Sequence, residues 1–274
     1  MELKDTSERM VAEFYQADPQ RYLIYLYHLA TYKFASRSVI GKKVLDFGCG
    51  SGYGTAFIAD ECSSIIGIDI ARDAIEYAST HYSKPNLSFL VVDRIEAASL
   101  PFDDQSFETV LSFQVIEHIN GVNKYLSEIN RVLVPGGVLI LATPDRSQRL
   151  LPLQKPWNFW HVQEYSARSL DKLIRRYFKN VDVLKMGGTR EIIDIEIKRV
   201  NKNKWLTLPL TLPFVPDTIR RKGLRLIKIL IGENEERDME KSWISWMNIS
   251  DFSISPSENP SINLVVVATK TMRP

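Results

Sequence analysis

Residues 44–55 read Val-Leu-Asp-Phe-Gly-Cys-Gly-Ser-Gly-Tyr-Gly-Thr, and the rest of the chain can be organised around them. Val44, Leu45 and Phe47 predict a short buried strand. Four glycines follow at the alternate positions 48, 50, 52 and 54. Because glycine loses more conformational entropy on folding than other residues, this clustering favours a backbone that turns tightly and leaves room for a ligand. We predict that a helix begins near Tyr53, with its free N–H groups facing the same space.

The spacing of these glycines distinguishes between known kinds of loop. A tight turn without a ligand would need only one glycine. A dinucleotide-binding loop has the spacing Gly-x-Gly-x-x-Gly, but after Gly48 and Gly50 the third glycine position holds Tyr53. A phosphate-binding P-loop would continue with Gly-Lys-Ser or Gly-Lys-Thr, and this sequence does not.

The segment Asp46-Phe-Gly48-Cys-Gly50-Ser-Gly52 resembles the first loop of the class I S-adenosylmethionine-dependent methyltransferases, in which an acidic residue precedes Gly-x-Gly-x-Gly. Two later segments are also typical of that family. The first is Gln114-Val-Ile-Glu-His-Ile119, and the second is Arg131-Val-Leu-Val-Pro-Gly-Gly-Val-Leu-Ile140. The motifs follow one another in the family's order and spacing. The resemblance is to the small-molecule and sugar-modifying members, the type 11-like methyltransferases.

The resemblance and the spacing together predict a cofactor site. Asp69 ends a predicted strand nineteen residues after Gly50, where an acidic side chain can accept both ribose hydroxyls of a nucleoside. Asp93 ends the next strand, where the family places an acceptor for the adenine amino group. Either aspartate could instead cap a helix. For S-adenosylmethionine, with S-adenosylhomocysteine as product, the expected cofactor residues are Asp46, Gly48, Gly50, Gly52, Asp69, Ile70, Asp93, Arg94 and Gln114.

Alternating strands and helices predict an α/β fold. At 274 residues the chain is long enough for one large domain with additions. Strand and helix patterns alternate from 43 to 143, which implies a parallel sheet with right-handed crossovers. The resemblance implies a doubly wound, seven-stranded, mostly parallel sheet that ends in an antiparallel pair, strand six at 180–186 and strand seven at 263–269.

Two additions to that domain are expected. Residues 8–36 are helical in pattern and rich in aromatic residues, with a break at Asp18-Pro19. The connection between strands six and seven is unusually long. We therefore predict an N-terminal helical lid at 1–40, a methyltransferase domain at 41–189 and 256–274, and an inserted cap at 190–255.

Histidine is the natural candidate for removing a proton from a methyl acceptor near neutral pH. Of the four histidines, His161 is favoured as a base or acceptor contact, with His118 next. His161 lies in an aromatic-rich loop, Trp157-Asn-Phe-Trp160-His161, which is called the aromatic loop below. A structural role for each histidine stays open, as does catalysis without a base. The expected acceptor-binding residues are His28, Tyr32, Trp157, Trp160 and Tyr165, although these aromatics could equally be packing residues.

Composition and charge limit the partners of the chain. The net charge is +2, from 35 basic and 33 acidic residues, which gives no overall attraction to nucleic acid. No set of His, Cys and carboxylate residues has metal-ligand spacing, so no metal site is predicted. The N-terminus has no apolar signal core and no apolar run reaches transmembrane length, so we predict a cytoplasmic protein.

One helical pattern, residues 216–231, combines apolar and basic residues. Its simplest interpretation is a helix packed on the domain with a solvated basic face. The alternative is a surface helix that rests on anionic lipid or on a lipid-linked substrate.

The function predicted from these observations is S-adenosylmethionine-dependent methylation of a small molecule or glycoconjugate, on oxygen, by in-line displacement. Nitrogen and carbon acceptors stay open. Two alternatives are a protein that binds the cofactor without turnover and an NAD-dependent oxidoreductase, which Tyr53 in the third glycine position disfavours.

Overall fold

A computed structural model describes residues 19–95, 98–232 and 246–271, and in this part of the chain eight strands form one sheet. The strands are β1 (Lys43–Phe47), β2 (Ser64–Asp69), β3 (Leu87–Val91), β4 (Phe107–Phe113), β5 (Leu133–Pro144), β6 (Asn180–Gly188), β7 (Phe252–Ser255) and β8 (Asn263–Thr269). The helices are α1 (Pro19–Ala35), α2 (Tyr53–Ile58), α3 (Arg72–His81), α4 (Val122–Val132), α5 (Arg146–Arg149), α6 (Ala167–Ile174), α7 (Arg190–Leu206) and α8 (Asp217–Gly232).

The sheet has a parallel half and an antiparallel half. Its strand order is β3-β2-β1-β4-β5-β8-β6-β7, and the pairs from β3 to β5 are all parallel. The strand β1 lies between β2 and β4 and is buried along all but its first residue. Because the parallel strands all end at one edge, the loops after β1, β2, β3 and β4 meet there.

The antiparallel half contains one strand more than predicted. β8 pairs antiparallel with β6, as expected for the predicted strands six and seven. It also pairs antiparallel with β5. The expectation of seven strands was wrong, because β7 adds an eighth along the outer side of β6. This strand is only four residues long, Phe-Ser-Ile-Ser, and so short an alternation is a weak sequence signal.

The helices cover both faces of the sheet. Leu45 and Phe47 point to one face, where they join a core cluster that includes Tyr125 of α4 and Leu170 of α6. Val44 points to the other face and packs with Tyr32 of α1. Central strands buried on both faces account for the continuous apolar runs in the sequence.

Helix α1 connects the first loop with the C-terminal part of the chain. Its first half packs through Leu23 and Leu26 against Ile192 of α7. Its second half packs through Tyr32 and Ala35 against the sheet. The helical pattern predicted for residues 8–18 lies outside the described residues.

The segment after β6 is held against the loop that follows β5. The Arg220 guanidinium of α8 is almost completely buried and donates to the Pro156 carbonyl at 2.6 Å. The Gln154 amide donates to the carbonyl of Lys204 at the end of α7 and to the Thr211 hydroxyl. Residues 190–232 therefore fix the position of the aromatic loop around Trp157.

No helix within the described ranges is both long enough and apolar enough to cross a membrane.

We predict that Gly54→Ala lowers the free energy of unfolding by about 1–3 kcal/mol, the usual cost of overpacking a core. A Cβ atom at Gly54 would overlap the ring of Tyr32, which is buried and cannot move away freely. Urea denaturation of the purified protein measures the change.

A double-mutant cycle gives the control for this prediction. In a Tyr32→Ala background the ring is absent, so Gly54→Ala should cost less than it does in the wild type. Equal costs in the two backgrounds would show that the overlap with Tyr32 is not the cause.

Candidate functional site

The loop between β1 and α2 contains three glycines with left-handed backbone angles. Gly48, Gly50 and Gly52 have φ of 79°, 55° and 81°, values that other residues rarely adopt. A Cβ at Gly48 would overlap Val115, and one at Gly52 would lie 2.7 Å from Ala78 and Phe89. A Cβ at Gly50 would meet no atom of residues 19–95, 98–232 and 246–271 within 4 Å. Gly48 and Gly52 are therefore required for packing, whereas Gly50 borders open space.

The carboxylate of Asp69, at the end of β2, holds this loop in place. Its Oδ2 accepts the backbone N–H of Gly50 at 3.0 Å, and its Oδ1 accepts that of Ala71 at 2.8 Å. A carboxylate oxygen can accept more than one hydrogen bond, so both atoms can also accept from a ligand. The structure thus brings Gly50 and Asp69 together, and the ribose contact predicted for Asp69 stays a prediction.

The carboxylate of Asp46 is buried directly beneath the loop. Its Oδ2 accepts the hydroxyls of Tyr32 at 2.9 Å and Thr55 at 2.6 Å. Burial raises the pKa of Asp46 to about 6, although both hydrogen bonds act in the opposite direction. Its other oxygen, Oδ1, has no hydrogen-bond partner among the described residues. An unpaired buried carboxylate oxygen is costly, and a ligand donor would remove that cost.

The remaining predicted cofactor residues lie at the same edge of the sheet. Ile70 follows β2 and its side chain is 52% exposed. Asp93 and Arg94 follow β3, and both are exposed. Gln114 follows β4 with a φ of 57°, and its backbone N–H donates to the Ala142 carbonyl of β5.

The two histidines favoured as catalytic residues are neighbours in the fold. The rings of His118 and His161 are 4.9 Å apart and nearly perpendicular. His161 is 5% exposed, and its Nδ1 lies 2.8 Å from Glu164 Oε1. The guanidinium of Arg149 donates to the other oxygen of Glu164 at 3.0 Å. Burial alone would raise the pKa of Glu164, but Arg149 and His161 outweigh it and hold the pKa at about 2.

Glu117 is buried next to these histidines. Its Oε2 accepts the Thr143 hydroxyl of β5 at 3.0 Å, while Oε1 has no partner within the described ranges. Its backbone carbonyl accepts the N–H groups of Val162 and Gln163. These bonds attach the aromatic loop to the end of β4, which is why His118 and His161 meet despite their distance in the sequence.

The predicted acceptor-binding aromatics have different surroundings. The Arg149 guanidinium lies over the Trp157 ring at 4.1 Å, and Trp160 is 46% exposed. Tyr165 is buried within the main apolar core. Tyr32 is also buried, and its hydroxyl is directed to Asp46.

His28 lies on α1 above the start of α2. Its Nδ1 is 3.0 Å from the Tyr53 hydroxyl, and burial lowers the pKa of His28 to about 3. The rings of Tyr25 and Tyr53 are 5.3 Å apart. His28 is therefore neutral at physiological pH and forms part of an aromatic cover over the first loop.

Residues 45–141 match a family model described as a methyltransferase domain. The match covers about a third of the chain. The domain includes the glycine loop, Asp69, Asp93 and the segment 114–119, and the aromatic loop with His161 lies beyond it.

Two curated relatives extend the similarity. A probable S-adenosylmethionine-dependent methyltransferase of Mycolicibacterium smegmatis is 33% identical over 147 residues, which are 54% of this chain and 55% of that protein. A fatty-acid O-methyltransferase of the same species is 29% identical over 167 residues, 60% of this chain and 59% of that protein. The chain thus spans little more than half the length of these relatives.

Solved structures show the same fold at low sequence identity. The crystal structure of the cyclase SpnF superposes with a TM-score of 0.53 and 15% identity, covering 93% of this chain and 82% of that one. Because a protein named as a cyclase shares the fold, the fold alone does not identify the reaction.

Four residues at this edge of the sheet were not predicted from the sequence to be part of the site, and they are Thr55, Glu117, Arg149 and Glu164. Thr55 lies at the end of the glycine stretch, nine residues after Asp46. Nothing in that spacing indicates that its hydroxyl donates to the Asp46 carboxylate. Glu117 lies within a segment typical of the family. Arg149 and Glu164 could not be paired from the sequence, because only the fold of the loop after β5 brings them together.

We predict that Tyr32→Phe lowers the free energy of unfolding by about 1.5–3 kcal/mol at pH 7.5, where Asp46 is ionised, because it removes a hydrogen bond to a charged group. Tyr125→Phe is the matched control, since that buried hydroxyl donates to the neutral Ser112 hydroxyl at 2.7 Å. Its cost should be about 0.5–1.5 kcal/mol. Urea denaturation measures both.

The pH dependence provides a second check. With the pKa of Asp46 raised to about 6, the group is mostly protonated at pH 5, and the cost of Tyr32→Phe should fall towards that of Tyr125→Phe. A difference between the two variants that stays constant from pH 5 to 7.5 would contradict the assignment.

Proposed function

We propose that the chain is an S-adenosylmethionine-dependent methyltransferase that methylates a hydroxyl group of a small molecule or glycoconjugate. The observation that carries this proposal is the arrangement around Gly50. Open space beside its backbone lies next to the Asp69 carboxylate. The same loop covers Asp46 Oδ1, which has no hydrogen-bond partner in the described part of the chain. Together these groups suit a positively charged nucleoside.

In this proposal each group at the sheet edge contacts one part of the cofactor. The Asp69 oxygens accept the ribose hydroxyls in addition to the backbone N–H groups they already hold. The exposed side chain of Ile70 covers a face of the adenine, and Asp93 accepts its amino group. Asp46 Oδ1 attracts the positive charge of the methionine part, which would favour the ionised carboxylate.

The acceptor is proposed to lie next to His118 and His161. The acceptor oxygen forms a bond to the methyl carbon while the carbon–sulfur bond breaks, and the bonding electrons stay on sulfur. The hydroxyl proton must leave, and His161 is the candidate base, held by Glu164. The name of the relative that methylates fatty acids supports oxygen as the acceptor atom.

The chain also offers a surface for an apolar acceptor or for the membrane that contains it. On α8 the side chains of Ile219, Leu226 and Ile229 are each more than half exposed. Arg221 and Arg225 on the same helix are exposed as well. This combination suits an interfacial helix on anionic lipid. The proposed compartment is the cytoplasm, with α1 as a lid and residues 190–255 as a cap.

Two measurements test the function. Calorimetry with S-adenosylmethionine, S-adenosylhomocysteine and NAD should show binding of the first two only. Incubation with methyl-labelled cofactor and a cell extract should then transfer the label to a product that can be identified. Binding of NAD alone would replace the proposal by an oxidoreductase, and cofactor binding without any transfer of label would leave a binding protein.

We predict that Gly50→Val reduces the affinity for S-adenosylhomocysteine more than a hundredfold. The added methyl groups would occupy the open space beside the loop, where the cofactor is placed. Gly41→Val is the matched control, because Gly41 also has a left-handed φ of 67° and open surroundings but lies before β1. Similar losses in the two variants would show that backbone strain, and not ligand space, causes the effect.

We predict that the protein floats with anionic vesicles at low salt and that Leu226→Asp abolishes this association. The exposed leucine would enter the lipid interface, and the added charge opposes entry. Arg176→Glu, an exposed change on another surface, should keep most of the association. If the wild type does not float with anionic vesicles, α8 is a solvated surface helix.

A further inference from the structure

Three side chains, those of Glu117, His118 and His161, converge at the carboxyl edge of the sheet beyond the glycine loop. Each offers one possible ligand atom, and these atoms lie within 4.8 Å of one another. Two imidazole nitrogens and one carboxylate oxygen form a donor set that binds divalent transition-metal ions. No other set of His, Cys, Asp or Glu meets this geometry within residues 19–95, 98–232 and 246–271.

The buried carboxylate of Glu117 is incompletely satisfied in the absence of a cation. The residue is only 1% exposed. Thr143 donates to Oε2, whereas Oε1 has no hydrogen-bond partner among the residues described. An enclosed carboxylate oxygen without a donor destabilises a protein by an amount comparable to a lost charged hydrogen bond. A bound cation would remove that penalty.

His161 is oriented in the way that metal ligands usually are. Its Nδ1 lies 2.8 Å from the Glu164 carboxylate, which Arg149 holds ionised from the other side. A carboxylate next to one ring nitrogen keeps the proton on that nitrogen and leaves the lone pair on the opposite one. In His161 the opposite nitrogen is Nε2, which makes no hydrogen bond among the described residues. The Glu164 carboxylate therefore fixes the tautomer that a metal requires.

His118 approaches the same point from the end of β4. Its Nδ1 lies 3.3 Å from the backbone carbonyl of Trp160, the residue before His161. A carbonyl acceptor on one ring nitrogen is the second common support for a metal-binding histidine. Both imidazoles thus have a protein oxygen within hydrogen-bonding reach of Nδ1.

We propose that Glu117, His118 and His161 bind one divalent transition-metal ion, in a site with positions left for water or an acceptor oxygen. Glu164 is the positioning residue of the site, because it acts through His161 and is not itself a ligand. If the proposed function holds, the metal ion binds the acceptor hydroxyl and lowers its pKa, so that its proton leaves to water before the methyl group is transferred. His161 would then be a ligand and not a base.

The experiment uses the full chain purified without a histidine tag and freed of metal by chelation and dialysis. Calorimetric titration with Zn²⁺ and with Mn²⁺ should show one binding site per chain for at least one of them. Co²⁺ provides a spectroscopic probe, because a site with histidine ligands gives visible absorption bands that unbound Co²⁺ lacks. Neither measurement depends on activity or on the cofactor.

Two ligand variants and a control locate the site. His118→Asn and His161→Gln should each weaken metal binding at least tenfold, and Glu164→Gln by about 10–100-fold, the usual effect of losing a supporting partner. His81→Asn is the matched control, since His81 bonds to the Tyr77 carbonyl of its own helix, α3, and is no part of the cluster. Circular dichroism shows whether each variant folds. If one of the two ligand variants does not fold, metal binding by the other one tests the site.

The proposal is overturned if the wild type binds neither Zn²⁺ nor Mn²⁺, or if the ligand variants bind as tightly as His81→Asn. Titration of the metal-free wild type with S-adenosylhomocysteine tests the proposed function separately. Cofactor binding without metal binding would overturn the proposed metal site but support the proposed function. Metal binding without cofactor binding would support the metal site but overturn the proposed function.

Discussion

The buried carboxylate of Asp46 is the point on which the arrangement of the first loop depends. Tyr32 comes from α1, Asp46 from β1 and Thr55 from α2, and two hydroxyl groups joined to one carboxylate connect the three elements. Placing a carboxylate in the core is unfavourable, and the raised pKa of Asp46 reflects this. The carboxylate lies where the covering helix, the central strand and the glycine loop meet, and its two hydrogen bonds link these elements.

The same edge of the sheet brings together groups that are far apart in the chain. Asp69 ends β2, Gln114 ends β4, and the backbone N–H of Gly50 is bonded to Asp69. Parallel strands place the ends of successive βα units side by side, so that one edge collects several polar groups. The matched methyltransferase domain, residues 45–141, accounts for this half of the site and stops before the aromatic loop.

The second half of the site depends on buried charge in the loop after β5. The Arg149–Glu164 pair is almost completely buried, and His161 completes it. Buried ion pairs contribute little net stability, because the desolvation of both charges offsets their attraction. Such a pair can nevertheless fix one conformation, and here it sets the orientation of a single imidazole ring. The segment with α7 and α8 covers this loop through Gln154 and Arg220.

The sequence by itself determined the α/β fold, the position of the glycine loop and the acidic residues after the second and third strands. Periodicity and glycine spacing are local properties, so they can be read without knowing which elements are neighbours. Tertiary structure alone decided the eighth strand, the partners of Asp46 and the meeting of Glu117 with His118 and His161. Those features depend on contacts between distant segments, and a side chain carries no local mark of its distant partner. Asp69 illustrates the difference, since its spacing indicated a ribose contact, whereas only the fold showed that it also holds the backbone of Gly50.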